Sequence, residues 1–173
     1  MNKLTTQQVI EKFGNPGDGK NLAALTLPYP FYLDWALSQT TSKITCHKLI
    51  VEPLGKIFKE ILEVYGIAKI HELGIDQFAG CFNLRPQRGY EKQYLADIEK
   101  GGDGSEYLSR HSWAIALDFD ADRNKLNETS KTARFARPEY KTFIDIFYKH
   151  GFISYGREKN YDWMHFEFYK TAL

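Results

Sequence analysis

At 173 residues and 20.1 kDa, the chain is long enough for one domain that buries roughly two thirds of its unfolded surface. Its two cysteines provide no disulfide framework in place of such a core. The 23 Lys and Arg against 22 Asp and Glu exclude the basic footprint of a protein that lives on phosphate backbones, so nucleic acid is not an expected partner. No apolar run approaches the roughly 20 residues of a membrane span, so no stable membrane association is expected either.

The opening MNKLTTQQVIEKF holds no continuous apolar stretch of signal-peptide length, and synthesis in the cytoplasm is the expectation. Thr5 or Thr6 caps a short helix through about Phe13, with Gly14 as its stop. Residues 15 to 21 read as loop. Gly14-Asn-Pro-Gly-Asp-Gly-Lys20 approaches a phosphate-binding loop, but Asn21 stands where Ser or Thr is needed and a helix precedes it. Pro28 and Pro30 interrupt LPYPFYLDW, so the region to about Ser42 is expected to be a strap laid over the surface by its aromatic residues. Cys46 and Cys81 match no metal or redox spacing and read as inert thiols, a single bridge being the alternative. Adjacent Cys46 and His47 rarely present both groups to one point, which argues against a thiol nucleophile.

A helix is predicted from Pro53 through Leu54, Ile57, Phe58, Ile61, Leu62 and Tyr65 to Gly66. His71-Glu72 lacks the second histidine of a zinc-helix motif, because Ile75 stands in its place. Residues 75 to 84 read as strand, and Gly101, Gly102 and Gly104 as a mobile loop. From Ala114 to Asp120 a half-buried strand turns Ile115, Leu117 and Phe119 inward and Ala114, Ala116, Asp118 and Asp120 to the other face. Asp118, Asp120, Asp122 and Asn124 imitate the start of a calcium loop, but Arg123 replaces its glycine and Thr129 its bidentate Glu, which leaves calcium a secondary reading. A second helix starts near Pro138 and runs to Gly151, and 152–155 and 163–169 close the chain as strands. With no repeat and no linker, the expectation is a single domain over 1–173, with 1–42 as helix and strap. Its fold class is α+β, a small antiparallel sheet with helices packed on it.

Two segments carry chemistry, Ser109-Arg-His-Ser-Trp-Ala-Ile-Ala-Leu-Asp118 and Asp162-Trp-Met-His-Phe-Glu167. The small neighbours Ala114 and Ala116 leave space beside the Asp118 carboxylate. His111 lies seven residues before Asp118, so the chain must bend around Ser112 if both are to converge. His165 and Glu167 share a strand face, whereas Asp162 must come from the preceding turn. Two histidines and one carboxylate would leave a zinc ion a fourth position for water, the arrangement of a catalytic site. Spacing alone does not separate this from a core histidine and a turn carboxylate.

The pattern Ser109-x-His111-x-x-Ala114-x-Ala116-x-Asp118 followed by Asp162-Trp163-x-His165 resembles the two-part signature of the D-alanyl-D-alanine metallopeptidase superfamily. Similarity extends more loosely through Thr45-Cys-His-Lys-Leu, the Pro53 helix and Phe82-Asn-Leu-Arg85-Pro-Gln-Arg-Gly89. The resemblance implies the fold shared by these peptidases and the hedgehog domain, with single-domain phage endolysins as nearest relatives. It makes His111, Asp118 and His165 ligands of Zn2+, Asp162 the general base and acid, and Arg85 the family's arginine, with Arg88 as rival. Ala114 stands where members usually have glycine, which would narrow the floor of the site by a methyl group. Glu167 either orients a ligand or faces solvent, and Trp113 and Trp163 either wall a groove or belong to the core.

The implied substrate is the peptidoglycan stem peptide. The implied reaction is cleavage between L-Ala and D-Glu by a monomer acting on the cell wall. D-alanyl-D-alanine carboxypeptidase or dipeptidase action is the close alternative, and a non-catalytic wall-binding module the distant one.

Overall fold

The computed structural model describes residues 4–170. Helix α1 (Thr6–Phe13) is closed at its start by a reciprocal pair of hydrogen bonds, Thr5 accepting from the Gln8 amide and Gln8 accepting from the Thr5 amide. Strands β1 (Leu22–Leu33) and β2 (Ala36–His47) form an antiparallel hairpin, followed by helix α2 (Val51–Leu73) and strand β3 (Gln77–Gly80). Helix α3 (Glu91–Glu99) precedes strand β4 (Ala116–Phe119). Helix α4 (Lys141–Lys149), strand β5 (Phe152–Ser154), helix α5 (Tyr155–Lys159) and strand β6 (His165–Phe168) complete the order. One six-stranded sheet runs β2-β1-β3-β4-β6-β5, antiparallel except for the β1–β3 pair, so the expected α+β class is the observed one.

The expected surface strap is instead the β1–β2 hairpin. Leu25, Leu27, Tyr29 and Phe31 are buried while the residues between them are exposed, a period-two pattern that the prolines obscured. Pro28 and Pro30 fall in the interval between Thr26 and Phe31 where the ladder shifts register, so their missing amide hydrogens interrupt no regular pairing.

Helix α2 continues beyond the predicted stop, because Gly66 (φ 71°) breaks the backbone locally and the chain resumes helical geometry as far as Leu73. The stretch expected as a mobile glycine loop is tied to α3 by the Gly104 amide donating to Asp97. Among the described residues no helix is long and apolar enough to cross a membrane.

The faces of α2 and α4 turned toward the sheet bury an aromatic cluster centred on Phe119, which is fully buried and contacts Phe31, Phe58, Phe78, Phe143, Phe147 and Phe166. This packing fixes the strand that carries Asp118. Phe119→Ala is expected to cost about 3–5 kcal/mol, measured as a shift in the denaturant midpoint at unchanged slope.

Candidate metal centre

Backbone register brings the two chemical segments together. Strands β4 and β6 pair antiparallel with Asp118 opposite His165, so ladder hydrogen bonding alone sets the carboxylate beside the imidazole. His111 arrives from the bend that its spacing requires. Residues Arg110–Trp113 form one 3₁₀ turn, capped by the Ser109 hydroxyl accepting from the His111 amide, and Ala114 ends the turn in the left-handed region at φ 54°. Ala114 is completely buried. Ala114 is thus held in a backbone conformation that L-residues adopt at a cost of about 1–2 kcal/mol, and it does not line the cleft.

One donor atom from each of His111, Asp118 and His165 lies within 4.8 Å of the others. His111 Nδ1 is 2.7 Å from the Cys81 carbonyl, which can only accept, so this nitrogen carries the proton and Nε2 offers its lone pair. Nε2 is buried, has no hydrogen-bond partner among the described residues and sits 3.2 Å from Asp118 Oδ2. His165 has the opposite arrangement. Its Nε2 lies 3.3 Å from Glu167 Oε2 and its Nδ1 lies 2.9 Å from Asp118 Oδ1.

Burial alone would lower the pKa of His165, yet hydrogen bonds to Asp118 and Glu167 lift it to about 10. Burial likewise works against ionisation of Asp118, but the neighbouring His111 and His165 hold its carboxyl well below the usual carboxylate range. Two imidazoles and a carboxylate are a donor set that zinc accepts, and the orphaned Nε2 of His111 fits that use.

Glu167 is buried rather than solvent-facing. The Tyr155 hydroxyl donates to its Oε2 at 2.6 Å, and Arg110 Nε lies 3.4 Å from its Oε1. The carboxylate facing a histidine ring nitrogen is the kind of support that fixes a ligand's tautomer and orientation. Arg110 and Tyr155 escape a reading by motif, because only the folding of the Arg110–Trp113 turn and of α5 against β6 brings them behind His165.

Asp162 lines the same cleft as His111, Asp118 and His165, in the left-handed region at φ 53°. Its amide donates to the Leu126 carbonyl, and its own carbonyl accepts from the His165 amide. Burial pushes the Asp162 carboxyl above its ordinary value and nearby Asp118 adds to this, whereas His165 and Arg88 oppose it. Arg85 and Arg88 both line the cleft. Arg85 is anchored by its amide donating to the Ser112 hydroxyl and its guanidinium donating to the Pro86 carbonyl.

The aromatic alternatives resolve toward the core. Trp113 and Trp163 are both buried, the former donating its indole N–H to the Gly14 carbonyl. Cys46 and Cys81 are free and buried, and burial pushes both thiols up. The calcium imitation dissolves as well. Asp120 turns to Arg123 at 2.6 Å, and the Asn124 side chain donates to the Asp120 carbonyl and accepts from the Phe135 amide.

No curated protein and no solved structure matches the chain. Residues 103–168, which contain all three clustered donors together with Asp162 and Glu167, match the family model described as D-alanyl-D-alanine carboxypeptidase. The resemblance carried by the two motifs and this match agree in making residues 103–168 similar to the D-alanyl-D-alanine metallopeptidase superfamily.

Proposed function

We propose that His111, Asp118 and His165 hold a zinc ion, and that the protein hydrolyses amide bonds in peptidoglycan stem peptides, cutting between L-Ala and D-Glu. The observation that carries this reading is the convergence of three donors from two distant segments, with Asp162 lining the same cleft. When bound, zinc supplies Lewis acidity toward a carbonyl oxygen and lowers the pKa of water toward about 7.

The chain's own residues supply the rest. The Asp162 carboxylate takes the proton of the attacking water and returns it to the leaving amine nitrogen, a role that its raised pKa favours. Arg85 or Arg88 offers planar N–H donors to the oxyanion or to a substrate carboxylate. Glu167 keeps the His165 ring turned so that Nδ1 faces the cluster.

Metal analysis paired with mass spectrometry of digested peptidoglycan tests the reading. New N-terminal D-Glu on the released peptides is the expected result, and zinc bound without any cleavage would move the protein to the class of wall-binding modules. The description of the matching family favours a second reading, removal of a terminal D-Ala, which the same digest would reveal as free D-Ala.

Glu167→Gln is expected to weaken zinc binding by about 10- to 100-fold in competition with a chelator. Because it leaves the buried Arg110 without its carboxylate, the melting temperature should fall as well.

A further inference from the structure

The cluster sits at the junction of two cavities rather than at the end of one. The first, about 140 Å³, contains Asp162 together with Tyr155 and Tyr161. The second, about 270 Å³, is lined by Trp35, Ala79, Gly80, Phe82 and Asn83. His111, Asp118, Arg85 and Arg88 line both. Anything bound across the metal donors therefore has room to continue in two directions.

The second cavity follows from the sheet. Strand β1 pairs with β3 only at Tyr32 and Leu33, and after the Asp34 amide donates to the Phe78 carbonyl the hairpin turns away at Trp35. On its other side β3 pairs with β4, Gly80 lying opposite Asp118. The turn of the hairpin is thus held two strands from the metal ligand on β4, with Ala79 and Gly80 as the floor between them. Gly80 adopts φ 132°, and a Cβ added there would meet nothing within 4 Å, so bare backbone is open to the cavity. Two large apolar side chains flank that floor, Trp35 at 66% exposure and Phe82 at 38%, in a chain that buries its other two tryptophans.

A turn residue this exposed has no packing role to explain it, and its position on the wall of a cavity continuous with the metal donors supplies one. The hairpin lies outside residues 103–168, so it is an addition to the matched segment rather than part of it.

We propose that the second cavity binds the substrate peptide on the side of the scissile bond away from Asp162, with Trp35 and Phe82 as specificity-determining residues that select chains continuing past the cleaved bond. This inference rests on the stem-peptide reading above, and it makes the site one for internal bonds. An enzyme that removes only a terminal residue needs room for a long substrate on one side of the metal alone.

The test uses synthetic peptides built around the L-Ala–D-Glu bond, each with one residue or three residues on either side of it. It is run on the zinc-loaded protein and on Trp35→Ala and Phe82→Ala. In the wild type, extension on one side is expected to raise kcat/KM about tenfold, the scale of a covered aromatic anchor. Trp35→Ala should bring the long-to-short ratio toward one, chiefly through KM. Calorimetry on the Asp162→Asn background reads the same contact without turnover, and adding Trp35→Ala there should weaken binding of the long peptide about tenfold.

Absence of a length effect in the wild type, or the same ratio in all three proteins, overturns the inference. Failure of the underlying reading looks different, since the wild type would then cleave no stem peptide of any length.

Discussion

Replacing His165 with alanine is expected to remove the bound metal and hydrolysis together. His165 presents Nδ1 to Asp118 from the strand that pairs directly with β4, so its loss leaves His111 and Asp118 as a two-donor remnant on a solvent-accessible cleft. Catalytic zinc sites rest on three protein ligands, and two do not define one. Lewis-acid stabilisation of several kcal/mol converts at tenfold per ~1.4 kcal/mol, so activity should fall on the order of 10³-fold or more. Metal content by atomic emission and lysis of purified cell wall by turbidity, measured on the same preparation, check this. Full lytic activity in the variant, with metal lost or kept, would remove zinc from the mechanism. A circular dichroism spectrum matching the wild type separates loss of the site from loss of the fold.

The candidate site was more legible in the sequence than the fold around it. His111 and Asp118 are seven residues apart, and strand geometry alone required a bend near Ser112. The structure supplies that bend as the turn over Arg110–Trp113 with Ala114 in the left-handed region. His165 and Asp118 needed no bend, because a ladder between two strands of opposite direction sets them side by side.

The hairpin was hidden for an equally physical reason. Two prolines argue against a strand when pairing is regular, and here they fall within the interval between Thr26 and Phe31 where the β1–β2 ladder shifts register. The alternation of Leu25, Leu27, Tyr29 and Phe31 was the stronger signal, and it reports burial on one face regardless of ladder continuity. Helices α3 and α5 carry few or no buried apolar side chains and leave little periodic trace. The support behind His165 was visible only as Glu167 at period two. Arg110 and Tyr155 reach that carboxylate from a turn and from α5, across separations that no local pattern encodes.

Asp162→Asn should separate metal binding from chemistry. Asparagine is nearly isosteric with aspartate and is among the residues that tolerate positive φ, so the turn at φ 53° and its two backbone hydrogen bonds should survive. The donors at His111, Asp118 and His165 are untouched, and zinc content should stay at the wild-type level. What disappears is the carboxylate proposed to accept a proton from water and give it to the leaving nitrogen, since an amide can do neither at neutral pH. General acid–base catalysis of this kind contributes about 10²- to 10⁴-fold, and kcat should fall within that range while KM for the stem peptide changes little. The paired result, metal retained and turnover lost, is one that a misfolded variant cannot give. Unchanged turnover would take the proton-transfer role away from Asp162 and leave its elevated pKa a consequence of burial beside Asp118 alone.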